Sequence, residues 1–208
     1  MARPTEPEKR AALARDAVAV LQRDGVDVPI AQLADALGVK RPTLLYHFPT
    51  RSQIVECALE ELLVEQWKYV TARIEKEPHP IDRIYAQVRA VHEFHRGKEA
   101  RLVFLTQALA ATAGERLGEI VARAAMVFES TRKANAERIR KGIQEGTVAS
   151  CDADAIVALV RAVTDGLMLQ RVTERVALAP VHEALWQHVL APLKINTDIQ
   201  HTGAAECP

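Results

Sequence analysis

The sequence is poor in aromatic residues, in cysteine and in net charge, and each shortage narrows the choice of fold and partner. Phe, Trp and Tyr make up 4% of the 208 residues while Ala, Leu, Val, Arg and Glu dominate, which favours helices over a β-sandwich or barrel. The three cysteines, Cys57, Cys151 and Cys207, are far apart and lack CxxC spacing, which argues against a disulfide framework and a cysteine zinc site. The formal net charge is zero, so any affinity for nucleic acid must come from local charge.

Long apolar runs and catalytic sequence motifs are also missing. No uninterrupted apolar run approaches the roughly 18 residues needed to span a bilayer, and the first ten residues contain no signal-peptide core. We therefore expect a soluble, cytoplasmic protein. Because neither a phosphate-cradling glycine loop nor a nucleophile motif such as GxSxG occurs, we expect no enzyme activity, no catalytic residues and no cofactor.

Apolar residues recur at helical spacing along most of the chain, and Gly and Pro divide this pattern into segments. In the first segment, for example, Leu13, Ala17 and Leu21 form a stripe that stops at Gly25. Thr50 is expected to cap the fourth segment, with Gln53 completing a capping box. The pattern predicts an all-α protein of nine helices, at about 7–24, 30–37, 41–48, 51–77, 80–96, 98–111, 115–145, 152–176 and 180–190.

The second and third predicted helices are short and are joined by a turn at Gly38, as in a helix-turn-helix. Between Gly38 and Arg51 the chain carries Lys40, Arg41, His47 and Arg51 and no acid, so a local basic patch exists despite the neutral total. The second helix of such a pair can enter a DNA major groove with its N-terminal side chains facing the base edges. The spacing alone fits an ordinary helical hairpin equally well.

Residues 30–51, IAQLADALGVKRPTLLYHFPTR, resemble the DNA-binding signature of the TetR family of bacterial regulators. The shared features are the Ile-Ala opening, the Leu-Gly turn, a Thr-Leu-aromatic recognition helix and a His-Phe-Pro-Thr ending before a cation. The resemblance implies a nine-helix TetR-like architecture. It places a helix-turn-helix DNA-binding domain at 1–51 and a ligand-binding and dimerisation domain at 52–192. The small, polar residues at the end of the chain predict a flexible tail at 193–208.

The resemblance also implies a set of DNA contacts. Arg41 is expected to bind guanine with two hydrogen bonds, Pro42 to make an apolar contact, and Thr43 to bind phosphate or a thymine methyl group. Tyr46 and His47 carry donors suited to phosphate oxygens. The expected DNA-binding residues are Lys40, Arg41, Pro42, Thr43, Leu45, Tyr46, His47 and Arg51.

Three of these residues depart from the family's pattern. Leu45 stands where the family often has the first of two aromatics, so one backbone contact is expected to be lost. Lys40 stands where a small capping residue is common, which weakens the cap of the recognition helix but adds a cation. Arg51 replaces a lysine, which keeps the charge and changes its geometry.

A single recognition helix reads too few base pairs for useful specificity, so a homodimer on a near-palindromic operator in double-stranded DNA is expected. The resemblance places the dimer interface on the last two helices, although a core helix pair within one chain is the alternative. The expected interface residues are Ala155, Ala158, Leu159, Ala162, Gly166, Leu185, Trp186, Val189 and Leu190.

The larger body contains apolar residues with a few polar ones interspersed, the composition that a pocket for a small organic effector needs. The expected function is a DNA-binding transcriptional regulator, a repressor that leaves its operator when such an effector binds. A ligand-independent regulator of the same fold, and a helical enzyme or carrier without DNA binding, are the alternatives. The expected ligand-binding residues are Trp67, Tyr85, His92, Phe104, Gln107, Met126, Phe128, Asp165 and Met168.

His92 and His95 are three residues apart and could share one helix face as metal ligands. The sequence does not place a third ligand beside them. We therefore expect no metal site.

Overall fold

The computed structural model describes residues 5–111, 117–173 and 176–195, and it describes the backbone alone for residues 99, 105–106, 109–111, 117–128 and 172. Over these residues the protein is all-α, as predicted, and one isolated antiparallel bridge joins Val148 to Lys194. No helix in the described ranges is long and apolar enough to cross a membrane. The helices are α1 Glu6–Asp24, α2 Ile30–Ala36, α3 Arg41–His47, α4 Arg51–Ile74, α5 Pro80–Phe94, α6 Glu99–Ala111, α7 Leu117–Gln144, α8 Ala153–Thr173 and α9 Leu178–Leu185.

The last helix differs most from its prediction. It begins at Leu178, before Pro180, because the first backbone N–H groups of a helix have no intrahelical partner and a proline there costs no hydrogen bond. It ends at Leu185, where the chain widens into a π turn over Trp186–Leu190 and then tightens into a 3-10 turn over Ala191–Leu193. Apolar periodicity continues through this stretch, so the sequence could not distinguish the irregular turns from regular helix.

Helix caps explain where two of the helices begin. Thr5 and Glu8 form a reciprocal capping box at α1: Thr5 Oγ1 accepts from the Glu8 amide at 3.4 Å, and Glu8 Oε2 accepts from the Thr5 amide at 2.7 Å. Thr50 Oγ1 accepts from the Gln53 amide at 3.3 Å, as predicted for α4. The other half of the predicted box is wrong, since Gln53 Oε1 is buried without a hydrogen-bond partner among the described residues.

The chain divides into two compact units, each with its own core. The first comprises Met1–Tyr69 and Glu93–Met126, and the second comprises Val70–His92 and Val127–Pro208. The first unit thus extends beyond the predicted DNA-binding domain at 1–51. That domain was defined by function, so its boundaries stay a prediction. The core of the first unit includes fully buried residues of α1 to α4, namely Ala17, Leu21, Leu33, Ala34, Leu44, Phe48, Ile54 and Leu59.

The second unit buries apolar faces of α5, α7, α8 and the C-terminal turns against one another. Its core includes Ile81, Ile84 and Val88 of α5 together with Ala136 and Ile139 of α7. The same cluster contains Val157, Val160, Leu185 and Leu190.

Candidate nucleic-acid interface

The turn between α2 and α3 depends on a glycine. Gly38 adopts φ +67°, a left-handed conformation that side chains rarely tolerate. The Gly38 amide donates to the Asp35 carbonyl and the Val39 amide to the Ala34 carbonyl, each at 3.0 Å, so this conformation closes the end of α2. The chain then reverses into Lys40, which precedes α3 in an extended conformation and makes no side-chain cap.

The orientation of α3 follows from the burial of one side of a seven-residue helix. Leu44, in the middle of α3, and Phe48, at its C-cap, are both fully buried. The opposite side is therefore turned to solvent: Arg41, Pro42 and Thr43 are exposed, and Tyr46 is 73% exposed. The leading end of α3 thus presents the side chains expected to face the base edges, together with exposed Lys40.

Two of the expected contact residues are less accessible. Leu45 is half-buried. The His47 side chain is only 8% exposed, and its Nδ1 lies 3.9 Å from Glu6 Oε2 of α1. The His47 ring also packs edge-on against Tyr46, with centroids 5.2 Å apart. In the free protein this imidazole therefore faces α1 more than it faces solvent.

Arg51, the first residue of α4, turns back onto the loop between α1 and α2. Its Nη1 donates to the Asp27 main-chain carbonyl at 3.0 Å, and its Nη2 lies 3.1 Å from Asp27 Oδ1. The two side chains are exposed, at 47% for Arg51 and 88% for Asp27. One residue of the loop thus occupies two of the guanidinium donors.

A second arginine, Arg10 of α1, contacts the end of the recognition helix and was not predicted from the sequence. The Arg10 guanidinium of α1 lies 5.3 Å from the centroid of the Phe48 ring and donates to Cys57 Sγ of α4 at 3.5 Å. Burial raises the pKa of the Cys57 thiol. This contact between α1, the end of α3 and α4 spans 47 residues, so helical periodicity carries no signal for it.

The residues expected to bind an effector lie in different environments. In the first unit, Trp67 is 55% exposed, Phe104 is buried and Gln107 is exposed. In the second unit, Met168 is half-buried, and Asp165 is exposed and pairs with Arg161 at 3.2 Å. The side chains of Met126 and Phe128 lie outside the described residues.

Tyr85, another expected ligand-binding residue, is half-buried, and its ring contacts neighbouring side chains. Its ring packs on Trp186 with centroids 4.8 Å apart, and the Arg89 guanidinium lies 5.8 Å from the Tyr85 centroid. Lys194 lies 5.6 Å from the Trp186 ring and binds both carboxylate oxygens of Asp82 at 2.8 Å. These contacts hold the C-terminal turns against α5.

His92 joins three elements of the second unit. It is 1% exposed, its Nε2 lies 3.0 Å from the Thr164 carbonyl of α8, and its Nδ1 lies 2.7 Å from His182 Nε2 of α9. The two rings are 13° from coplanar, and their centroids are 4.9 Å apart despite the close nitrogens, so the rings meet edge to edge.

This geometry determines the tautomer of neutral His92. A carbonyl can only accept, so His92 carries its proton on Nε2 and accepts at Nδ1 from His182 Nε2–H. Burial lowers the pKa of His92, partly opposed by its bond to Thr164.

His95, the other histidine considered as a metal ligand, is buried in the first unit, where its Nε2 lies 2.9 Å from Gln66 Oε1. The described residues contain no group of three or more His, Cys, Asp and Glu side chains that could hold a metal. His92 contacts His182 and the Thr164 carbonyl, whereas His95 contacts Gln66, so the two histidines do not share a partner among these contacts.

The residues expected at a dimer interface divide into an exposed set and a buried set. On α8, Ala155, Ala158, Ala162 and Gly166 are exposed, and Leu159 is 45% exposed. Leu185 and Leu190 are instead buried in the core of their own unit, and Trp186 and Val189 are half-buried against it. Of the expected interface residues, those on α8 are therefore the ones that a second chain could contact.

Comparison with known proteins gives one family match. Residues 13–58, which include α2 and α3, match the family model of bacterial regulatory proteins, tetR family. No curated protein sequence matches the chain significantly.

Several solved structures share the fold. A putative transcriptional regulator from Saccharomonospora viridis, in complex with choline, superposes with a TM-score of 0.71 at 20% identity, covering 88% of this chain and 98% of that one. The ketosteroid transcriptional regulator KstR2 of Mycobacterium tuberculosis gives 0.61 at 20% identity, with 90% and 96% covered. AibR, in complex with isovaleryl coenzyme A and operator DNA, gives 0.61 at 16% identity, with 86% and 96% covered. At these identities the likeness establishes the fold alone.

Proposed function

We propose that this chain, whose residues 13–58 match the family model of bacterial regulatory proteins, tetR family, is a homodimeric repressor of that family that binds a near-palindromic operator and releases it when a small molecule binds. The observation that carries this proposal is the exposed leading end of α3. Arg41, Pro42 and Thr43 stand in solvent on a short helix whose other side is anchored by Leu44. Such an arrangement suits side chains that must reach base edges without disturbing the core.

The local charge supports binding to a duplex. Lys40 and Arg41 flank the start of α3 and are both exposed, and no acid lies between Gly38 and Arg51. Cations in these positions attract phosphates, while the bidentate geometry of an arginine allows guanine to be distinguished from other bases.

The exposed stripe of α8 supports the proposed dimer. A Cβ added at Gly166 would meet nothing within 4 Å, so packing within the protomer does not require a glycine there. A glycine among exposed alanines leaves room for the close approach of a second helix. Two chains joined in this way would present two copies of α3, as a two-fold operator requires.

The solved structures support a small-molecule effector without identifying it. One relative of the same fold was captured with choline and another with isovaleryl coenzyme A, two chemically unrelated ligands. Binding of an effector can release DNA only if the effector favours a dimer in which the recognition helices no longer match the operator spacing. We propose that the effector acts in this way in the cytoplasm.

Selection of bound duplexes from a random pool, using the purified full chain, tests the proposal. We expect enrichment of two related half-sites whose centres are about one helical turn, or roughly 34 Å, apart. A thermal-shift screen of metabolites on the same protein should then reveal a stabiliser that also reduces binding to the selected operator. A pool without enrichment at low salt contradicts DNA recognition, and a screen without a stabiliser favours ligand-independent regulation.

A further inference from the structure

The Arg51 guanidinium has two candidate partners, a DNA phosphate and Asp27. As the first residue of α4, beside the recognition helix, it is placed to bind a DNA phosphate, yet its two described contacts are both with Asp27. These contacts differ in kind, since the one to the main-chain carbonyl orients the guanidinium, whereas the one to Oδ1 neutralises its charge.

The carboxylate contact is weak enough to be exchanged. Asp27 is 88% exposed and Arg51 is 47% exposed, and an ion pair between such exposed groups contributes only about 0–1 kcal/mol. A duplex phosphate carries the same charge as the carboxylate and also gains from counterion release. The Asp27 carboxylate can therefore hold Arg51 in the free protein without preventing its transfer to DNA.

The charge of the whole chain makes this exchange consequential. The net charge is zero, so DNA affinity depends on a few local cations, and Lys40, Arg41 and Arg51 are the only lysines and arginines between Gly38 and Arg51. Asp27 lies outside that sequence segment but is brought onto it by the loop between α1 and α2.

We propose that Asp27 moderates DNA affinity by occupying Arg51, and that DNA binding exchanges the carboxylate for a phosphate. This inference rests on the proposed DNA binding. In the free protein the charge of Arg51 is then neutralised by Asp27. Asp27 therefore weakens binding to all DNA sequences, specific and random alike.

Asp27→Asn is the informative change because it removes the charge and keeps the main-chain carbonyl that orients Arg51. Asp35→Asn, at an exposed acid of α2, is the matched control for the general effect of removing a negative charge from the first unit. Binding of the full-length proteins to the selected operator and to a scrambled duplex would be measured by fluorescence anisotropy over a range of KCl concentrations.

We expect Asp27→Asn to raise affinity for both duplexes by up to about fivefold at low salt, because binding no longer has to break the Asp27–Arg51 ion pair. Asp35→Asn should raise both affinities less. In an Arg51→Ala background, the effect of Asp27→Asn should shrink to that of the control. A merely structural role for the pair predicts the opposite sign, since loosening the loop would reduce affinity.

Two results would contradict the exchange at Arg51 without contradicting the proposed function. Equal effects of Asp27→Asn and Asp35→Asn would overturn it, and so would an Asp27→Asn gain that persists undiminished in the Arg51→Ala background. If the unsubstituted protein binds neither duplex at low salt, the proposed function fails, and this inference fails with it.

Discussion

The histidine pair of the second unit gives a prediction about the pH dependence of stability. His92→Leu removes two hydrogen bonds from a side chain that is 1% exposed, one to the Thr164 carbonyl and one to His182. The carbonyl lies within α8 and can keep its helical bond, and half-buried His182 can turn to water. We therefore expect the free energy of unfolding to fall by roughly 1–3 kcal/mol at neutral pH.

The pH profile tests the cause of that loss. The folded protein holds the pKa of His92 below its ordinary 6.5, so the unfolded chain binds more protons just below that pH. Stability is full above about pH 6.5 and declines as the pH falls from there toward the lowered pKa, by at most about 1.4 kcal/mol per pH unit for this one group.

Urea unfolding followed by far-UV circular dichroism, at fixed protein concentration from about pH 8 to pH 5.5, measures both effects. His92→Leu should be less stable at neutral pH and should lose less stability than the unsubstituted protein on acidification. His188→Leu is the matched control, because it removes an exposed histidine of the same unit. The reasoning is refuted if His92→Leu keeps the original slope or unfolds at the original urea concentration.

Two further predictions concern α3 and α8. Lys40→Ser should provide the side-chain cap that α3 lacks and raise the free energy of unfolding, measured in urea, by about 1 kcal/mol. Because the change also removes a cation, binding to all duplexes, measured by anisotropy, should weaken. A free energy of unfolding that stays unchanged or falls would contradict the capping argument. Gly166→Lys should prevent the proposed dimer and give monomers in analytical ultracentrifugation. Its far-UV circular dichroism should be unchanged, because Gly166 is exposed and an added Cβ meets nothing within 4 Å. A variant that stays dimeric would place the interface elsewhere.

The sequence predicted the all-α fold because its signals for helices are local. The Leu-Gly turn fixed the end of α2, and Pro42 near the start of α3 with Pro49 after its end bounded the recognition helix to within a residue. The missed capping box at Thr5 and Glu8 was also local, a Thr-x-x-Glu pattern that could have been found.

What the sequence could not supply depends on contacts between distant segments. His92 and His182 are 90 residues apart, and only the packing of α5 against α9 brings their nitrogens together. Likewise, Leu185 and Leu190 fit an apolar stripe that could cover either a second chain or their own core, and folding places them in the core. The partner of Arg51 comes from a loop 24 residues away, for which no periodic pattern exists.

The leading end of α3 is proposed to read base sequence, and the affinity of Arg41→Ala for two duplexes tests this role most directly. Against the selected operator we expect a loss of roughly 1–3 kcal/mol relative to the unsubstituted protein, and against a scrambled duplex a much smaller loss that salt abolishes. Equal losses on both duplexes, or an unsubstituted protein that binds both alike, would contradict the account.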